Sequence, residues 1–162
     1  MEEEVITATV ILPEALLAHW QGHRGLTRKT IEAFPEKELF TYSIGGMRPF
    51  SELVLEMLGM AVPGVKGMAT GTWDKFEDAQ LSKPASKEEL LARWDETTVQ
   101  LNELFPQIPL QRFSETDVAF GQWPGTITSF VLYFIDNEVH HRGQGYVYLR
   151  SLGIEPPPFW DR

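Results

Sequence analysis

The sequence predicts an all-α protein, a four-helix bundle whose helices are joined by long crossover loops. Three observations support this fold class: four segments repeat apolar residues at helical spacing, long connections separate them, and no segment shows a convincing strand pattern. The 162 residues fit a single domain, 1–162, and a content of 43% hydrophobic residues is enough to build a core.

The first helix is predicted from about Pro13 to Phe34. Proline suits the first helical turn, where a backbone N–H has no partner, and Pro35 prevents continuation. One face repeats at alternating steps of four and three residues. This repeat predicts the buried side of the helix, formed by Leu16, Trp20, His23, Thr27, Thr30 and Phe34.

The second helix is predicted from about Pro49 to Ala61, and the stretch VPGVKGMATGTW after it is expected to be a loop. Glu56 lies at the edge of the apolar face of this helix. One interpretation is a boundary carboxylate that reaches water or pairs with an arginine. The other is a functional carboxylate that faces the last helix across the bundle. The apolar face itself comprises Phe50, Leu53, Val54, Met57 and Met60.

The third and fourth helices are predicted from their end signals. The third begins at a capping box, in which Ser86 is followed by Glu89, and it frays near Phe105. The stretch QIPLQRFSETDVAFGQWPG after it is expected to be irregular, with room for a short extended or helical piece. The fourth helix is predicted from about Thr126 to Leu152, because a glycine suited to the left-handed position follows directly.

Composition and charge argue against several classes of function. Without cysteine the chain forms no disulfide, Cys-based zinc cluster or thiolate nucleophile, so a metal would need His, Asp, Glu, Asn, backbone or water ligands. A formal net charge of -9 disfavours nucleic-acid binding. The N-terminal MEEEVITATV lacks a signal-peptide layout, and no continuous apolar run suits a membrane span. We therefore expect a cytoplasmic protein without membrane association.

The stretch DNEVHHRGQ concentrates polar side chains on the otherwise apolar fourth helix. Asn137 and His141 are four residues apart and share the inner face, whereas His140 is turned by about 100° toward the rim. Glu138 lies three residues before His141, close to the same face. Buried polar groups need partners, so this group either binds a metal or forms a hydrogen-bonded core network. His23, on the inner face of the first helix, is a further candidate.

The segment HHRGQGYVYLRSLGIEPP, residues 140–157, resembles the last-helix motif of the DinB/YfiT-like superfamily of damage-inducible bundle proteins. The segment GMRPFSELVLEM, residues 46–57, resembles the entry to the second helix of that superfamily, and the helix order and chain length also agree. The resemblance implies a four-helix bundle across nearly the whole chain. It also implies a divalent metal held by three histidines, and a homodimer.

The resemblance also implies a set of metal ligands. Members of the superfamily take one histidine from the second helix and two from an H-x-x-x-H pair in the last helix. In this sequence the corresponding positions hold Glu56, Asn137 and His141, so one of the three is a histidine. The usual metals of the superfamily are zinc and nickel. An oxygen-rich set suits manganese, iron, magnesium or calcium better than three imidazoles do.

The function that the resemblance implies is that of a divalent-metal-dependent enzyme, a hydrolase or a thiol-dependent transferase, linked to the stress or DNA-damage response. The metal would polarise a bound thiol or lower the pKa of a bound water, and Glu138 or His23 would act as the catalytic base. The alternative is a non-catalytic stress-response bundle whose polar core residues bind one another and no metal. Arg142 is expected to pair with Glu138 one turn earlier.

Two further predictions concern partners. Trp73, Trp123 and Trp160 lie in or near predicted loops and suggest a site for a small acidic or hydrophobic molecule, although ordinary packing is the simpler interpretation. Glycines at positions 22, 25, 143 and 145 would permit close crossing of the first and fourth helices. That crossing would lie within the chain or across the two-fold axis of the homodimer.

Overall fold

The structure, a computed structural model, describes residues 10–76 and 81–162 and confirms the all-α bundle. Its elements are helices α1 (Pro13–Ala33), α2 (Glu36–Thr41), α3 (Phe50–Thr70), α4 (Lys87–Leu104) and α5 (Ile127–Ser151), with strands β1 (Thr116–Ala119) and β2 (Trp123–Thr126). The four long helices form a ring in the order α1, α4, α3, α5, in which each packs against two neighbours. Residues 1–9, which contribute to the signal-peptide argument, lie outside the described residues.

The ends of three long helices agree with the sequence signals. α1 begins at Pro13 as predicted. At the start of α4, the Ser86 hydroxyl accepts a hydrogen bond of 3.1 Å from the Glu89 backbone N–H, which confirms the predicted cap. The Glu89 carboxylate accepts a second bond, of 2.7 Å, from the backbone N–H of Ala85. After α5, Gly153 adopts a φ of 76°, as the left-handed position requires.

α3 extends to Thr70, so the prediction of a loop at VPGVKGMATGTW is wrong. The glycines in this stretch serve close packing within a helix. A Cβ added at Gly64 would lie 2.2 Å from the Phe134 ring, and one added at Gly67 would lie 2.2 Å from the Trp73 ring. The absence of side chains at these positions therefore lets aromatic rings reach the helix backbone, an effect that sequence alone does not distinguish from turn formation.

The composition of α3 is explained by its central position. The helix is long and apolar enough to cross a membrane by composition, with a mean hydropathy of 1.2 over its most apolar window. However, 67% of that window is buried inside the bundle. A helix that packs against both α4 and α5 needs apolar residues on most of its circumference.

A two-stranded antiparallel hairpin precedes α5, in a segment that is predicted to be irregular. Its strands pair residues 116–119 with residues 123–126, and the turn holds Phe120 at φ 53° and Gly121 at φ 71°. The hairpin agrees with the short extended piece expected in this segment, although four-residue strands are too short for alternation to reveal a strand pair. The short α2 likewise lies where a connector is predicted.

The core consists of two apolar clusters with a polar layer between them. Trp20 and Phe134 belong to the cluster near the hairpin, and Phe34 and Phe50 belong to the cluster at the opposite end. The polar layer lies between them on α1 and α5, and its buried members include His23, Arg24, Thr27, Thr30, Glu138, His141 and Arg142. Most of the residues predicted to form a site therefore lie at one level of the bundle.

Within the chain, the glycines of α1 and α5 do not form the contact between these two helices. Gly145 faces α3, where an added Cβ would lie 2.6 Å from the Phe50 ring. No atom lies within 4 Å of a Cβ added at Gly25 or at Gly143 among the residues described. The contact between α1 and α5 includes polar side chains of the central layer and the packing of Trp20 against Phe134. The alternative of a crossing at a two-fold axis stays a prediction.

Candidate functional site

α5 carries two pairs of polar side chains. The members of each pair are four residues apart, and the second pair is offset from the first by one residue. Asn137 and His141 bond to α3, whereas Glu138 and Arg142 are rotated by about 100° and bond to α1. The polar layer is thereby divided into two clusters. The Glu56 cluster comprises Arg48, Glu56, Asn137, His141 and Gln144, and the Glu138 cluster comprises Trp20, His23, Thr27, Glu138 and Arg142.

The Glu56 cluster brings together the three residues predicted as metal ligands. Glu56 Oε1 lies 3.1 Å from His141 Nε2 and accepts a hydrogen bond of 3.1 Å from Asn137 Nδ2. Its other oxygen, Oε2, accepts a hydrogen bond of 2.5 Å from Arg48 Nη2. The Glu56 carboxylate is therefore the centre of the cluster and receives donors from three protein side chains.

The hydrogen bonds of His141 shift its pKa and that of Glu56. Its Nε2 faces the Glu56 carboxylate, and its Nδ1 lies 2.7 Å from Gln144 Oε1, so both ring nitrogens face protein oxygens. The bond to Glu56 raises the pKa of His141 against the opposing effect of burial. The same bond, with the bonds from Arg48 and Asn137, lowers the pKa of Glu56 to about 2. The contact therefore favours the charged form of each side chain.

A divalent cation does not fit the Glu56 cluster in this arrangement. Nitrogen ligands must be deprotonated and open to the metal, whereas both ring nitrogens of His141 already face protein oxygens, at 3.1 and 2.7 Å. Glu56 provides one negative charge, which already faces Arg48 and His141. Asn137 Oδ1 is buried without a protein partner among the described residues, yet it is one neutral oxygen. Within residues 10–76 and 81–162, no group of three or more His, Cys, Asp or Glu side chains is arranged to hold a metal.

The Glu138 cluster is more deeply buried and contains both residues predicted as catalytic bases. The Glu138 side chain accepts a bond of 2.7 Å from Thr27 Oγ1 and one of 3.3 Å from Trp20 Nε1, and the residue is 2% exposed. Burial raises the pKa of Glu138, while the charges of Arg24 and Arg142 oppose that increase. This carboxylate is therefore held inside the core, between α1 and α5.

His23 lies between two arginines at the edge of the same cluster. Arg142 Nη2 lies 2.9 Å from His23 Nδ1, and Arg162 Nη1 lies 2.7 Å from His23 Nε2. Burial, followed by the charges of Arg142 and Arg162, lowers the pKa of His23 to about 4. His23 is therefore neutral at neutral pH, with arginine donors facing its ring nitrogens.

The structure does not bring the predicted bases to the predicted metal ligands. Glu138 and His23 belong to a different cluster from Glu56. Arg142 does not form the predicted pair with Glu138. It donates to the backbone oxygen of His23 at 3.0 Å and to Thr27 Oγ1 at 3.1 Å instead. Groups on α1 thus provide hydrogen-bond partners for both residues of this α5 pair.

A cavity of about 550 Å³ lies beside Glu56. It is bounded by α3, by the hairpin and by the first turns of α5. Glu56 is the one charged residue in the described part of its wall. Six aromatic side chains form most of the remainder, namely Phe76, Phe120, Trp123, Phe130, Tyr133 and Phe134.

A larger groove of about 780 Å³ runs between α1 and α4, away from Glu56. Three of its charged residues are engaged with the protein: Arg28 pairs with Asp95, and Arg24 donates to the Trp94 backbone oxygen at 3.0 Å. Arg24 Nε and Nη1 have no hydrogen-bond partner among the described residues. Because those atoms are closed to solvent, a molecule in the groove would not reach them. The aromatic cavity is therefore the better candidate site.

Sequence reasoning identified part of this cavity. Of the three tryptophans predicted to line a pocket, Trp123 does so and is 47% exposed. Trp73 packs behind the wall against Phe120, and Trp160 lies near the C-terminal end, 72% exposed. The prediction missed the hairpin, which carries Phe120 and Trp123 to Glu56. The aromatic density of AFGQW and SFVLYF was the available signal.

Comparison with known proteins identifies the fold and the family. The profile described as the DinB family matches residues 7–161, which is nearly the whole chain. The chain belongs to the DinB family. The DinB resemblance of the sequence is thereby confirmed.

Two other DinB-like proteins show the same fold. The uncharacterized protein YjoA of Bacillus subtilis is 24% identical over 148 residues, covering 91% of this chain and 95% of YjoA. The crystal structure of YjoA matches with a TM-score of 0.75 over 91% of this chain and 98% of that chain, at 18% identity. A DinB-like protein from Bacillus cereus matches with a TM-score of 0.71 at 18% identity, over 90% of this chain and 95% of that chain.

Proposed function

We propose that this DinB-family chain is a metal-independent binding protein for a small, largely apolar molecule, which it holds in the aromatic cavity beside Glu56. The observation that carries the proposal is the position of the cavity against a carboxylate that protein donors already hold in place. A volume of about 550 Å³ lies within the range of roughly 300–1,000 Å³ typical of small-molecule sites.

The cavity wall favours apolar ligands. Aromatic side chains provide large contact surfaces, and transfer of apolar area from water contributes roughly 25 cal/mol per Å². Tyr133 and Trp123 are 58% and 47% exposed, so a ligand at the mouth would cover aromatic surface that now faces solvent. These properties support binding through burial of a hydrophobic body, with Glu56 as the orienting polar group.

The chemistry of the wall supports binding rather than catalysis. Ser129 is the one serine or threonine in the described wall, and its hydroxyl donates to the Thr126 backbone oxygen at 2.7 Å. Nucleophilic catalysis requires a nucleophile within hydrogen-bond reach of a base. The imidazole of His141 is committed to Glu56 and Gln144 instead. The side chains in and beside the cavity therefore favour the non-catalytic alternative over the metal-dependent enzyme.

Metal content is the first test of this proposal. We expect protein purified without added metal to contain well below one equivalent of zinc, nickel, manganese or iron. We also expect a strong chelator to leave its melting temperature unchanged, because no ligand set would be lost. Stoichiometric metal that disappears in both Glu56→Ala and His141→Ala would overturn the metal-independent assignment and favour the metal-dependent hydrolase or transferase.

Ligand binding is the second test, with the neutral fluorescent probe N-phenylnaphthylamine. We expect saturable fluorescence enhancement that Trp123→Ala weakens by about tenfold or more, because the substitution removes one wall of the cavity. Trp160→Ala is the matched control, since Trp160 is 72% exposed and lies outside this cavity. Equal binding by both variants, or no saturable binding by the unsubstituted chain, would contradict the proposed site.

Three further properties stay predictions. The homodimer and the link to the stress or DNA-damage response are implied by the family resemblance, and the cytoplasmic location is expected from the sequence. Light scattering at micromolar concentration measures the first directly, and a monomer mass would contradict it. The binding function proposed here does not depend on any of the three, because the described walls of the cavity come from one chain.

A further inference from the structure

We infer that the ligand of the aromatic cavity is an organic cation, an amine carried on an apolar or aromatic body, with its nitrogen at Glu56. This inference rests on the proposed binding function and adds the chemical class of the ligand. It follows from three features of the site, which are the sign of the charge in the wall, the free acceptor capacity of Glu56 and the nature of the surrounding side chains.

The first feature is the charge of the wall. Glu56 is the one charged residue lining the described part of the cavity, and the rest of that wall is apolar or aromatic apart from the Ser129 hydroxyl. An anionic ligand would therefore meet a carboxylate without a cation facing it inside the cavity. A cationic ligand would meet an opposite charge beside apolar walls, where attraction is stronger than in bulk solvent.

The second feature is the remaining acceptor capacity of Glu56. Oε1 receives His141 and Asn137, and Oε2 receives Arg48 alone. A carboxylate offers about four lone-pair positions, so one position on Oε2 has no donor in these contacts. The Glu56 side chain is 23% exposed, although its residue lies on a core helix. A ligand N–H can therefore bond to Glu56 without displacing a protein donor.

The third feature is the group of aromatic rings around the carboxylate. Phe76, Phe120 and Trp123 contact one another edge to face, with ring centroids 5.4–6.2 Å apart. Tyr133 and Trp123 are both partly exposed at this cavity. Aromatic faces attract cations within about 6 Å of the ring centroid, and the same surfaces accommodate the apolar body of the ligand. A carboxylate combined with aromatic walls is the chemistry that recognises hydrophobic amines.

The neighbouring charges are compatible with this ligand. Arg48 bonds to Glu56 but lines an adjoining groove of about 400 Å³, not the aromatic cavity. That groove also contains Glu52, a second carboxylate near the approach to Glu56. The chain as a whole carries a formal charge of -9, which raises the local concentration of cations over that of anions.

The test uses three ligands of matched size that differ in charge: phenethylamine, phenethyl alcohol and hydrocinnamate. Each is titrated against the complex of the intact chain with N-phenylnaphthylamine, at neutral pH and low salt. We expect the amine to displace the probe at least about tenfold more tightly than the alcohol, because only the amine forms a charge-assisted bond to Glu56. Hydrocinnamate should bind most weakly.

Variants assign the selectivity to Glu56. We expect Glu56→Gln to weaken binding of the amine by about tenfold while leaving the alcohol within about twofold, because the substitution removes charge and keeps shape. Glu52→Gln is the matched control, an exposed carboxylate in the adjoining groove, and should leave the amine within about twofold. Trp123→Ala should weaken all three ligands together.

The outcomes separate this inference from the function on which it rests. If the alcohol or hydrocinnamate binds as tightly as the amine, or if Glu56→Gln retains full selectivity for the amine, the amine assignment is wrong and the apolar binding site stands. If neither the probe nor any of the three ligands binds, the proposed binding function itself fails. Selectivity that is lost in Glu52→Gln instead of Glu56→Gln would also overturn the assignment.

Discussion

The two polar clusters of α5 use the same residue types and shift the pKa of a histidine in opposite directions. His141 lies between a carboxylate and an amide oxygen, and its bond to Glu56 raises its pKa. His23 lies between Arg142 and Arg162, and burial, followed by the charges of these arginines, lowers its pKa to about 4. Both histidines are 8% exposed, so burial alone does not explain the difference. The sign of the neighbouring charge decides it.

The carboxylates of the two clusters differ in burial. Glu138 is 2% exposed, bonded to Thr27 and Trp20, and shares its surroundings with the buried charges of Arg24 and Arg142. Glu56 is bordered by a cavity and retains partial exposure. We infer that the Glu138 cluster stabilises the contact between α1 and α5, whereas the Glu56 cluster is available to a ligand. The following predictions test that division of roles.

Removal of the Glu138 charge should have the largest effect. Glu138→Gln keeps the shape of the side chain but leaves Arg24 and Arg142 without a buried counter-charge, and its amide N–H₂ group would face the Trp20 or Thr27 donors. We expect a loss of about 3 kcal/mol in the free energy of unfolding, or roughly 6–12 °C in melting temperature. Urea and thermal unfolding followed by circular dichroism measure both quantities.

Glu56→Gln is the matched comparison, because it makes the same chemical change in the second cluster. We expect a cost of about 1 kcal/mol, since water can reach the groups that Glu56 leaves behind. The division of roles would be contradicted if Glu56→Gln proved as costly as Glu138→Gln, or if both substitutions left the free energy of unfolding unchanged.

The coupling between Glu56 and His141 should be smaller and measurable. A double-mutant cycle with Glu56→Gln, His141→Gln and the combined variant isolates the interaction between the two side chains. We expect a coupling energy of about 1 kcal/mol, because the pair is half-buried and Arg48 also holds the carboxylate. Urea unfolding of all four proteins provides the values, and additive effects within experimental error would show that the ion pair contributes no net stability.

The sequence predicted the parts of the fold and site that local spacing determines. Proline at the start of α1 and the capping box of α4 mark helix ends directly. The four-residue spacing of Asn137 and His141 placed them on one face, and the position of Glu56 at the edge of an apolar stripe indicated a carboxylate near them. These inferences depend on residues within one helix, where periodicity fixes direction.

The features that the sequence did not predict depend on contacts between elements. In the sequence, Gly64 and Gly67 indicate a loop. In the structure, they allow the rings of Phe134 and Trp73 to pack against the helix backbone. Arg48 precedes α3 in an irregular segment, so no periodicity pointed it toward Glu56. The cavity requires the hairpin, whose four-residue strands are too short for a reliable pattern. The wrong predictions about the fold and the missed part of the site therefore have the same cause, because both depend on long-range packing between elements.

The pH dependence of stability should have opposite signs for the two histidines. The pKa of His23 falls from 6.5 to about 4 on folding, so its stabilising contribution is present above pH 6.5 and is lost as the pH decreases toward 4. The pKa of His141 is raised, so its contribution is complete below pH 6.5 and is lost as the pH increases through the folded value. His23→Gln should therefore reduce the loss of stability on the acid side, and His141→Gln should reduce it on the alkaline side.

Melting temperatures of the unsubstituted chain and of both variants, measured between pH 4.5 and 8.5, test these signs. Differences between proteins are the relevant quantity, because the raised pKa of Glu138 acts in the opposite direction at acid pH and is common to all three. Curves that change on the same side of pH 6.5 in both variants would show that neighbouring charge does not distinguish the two clusters.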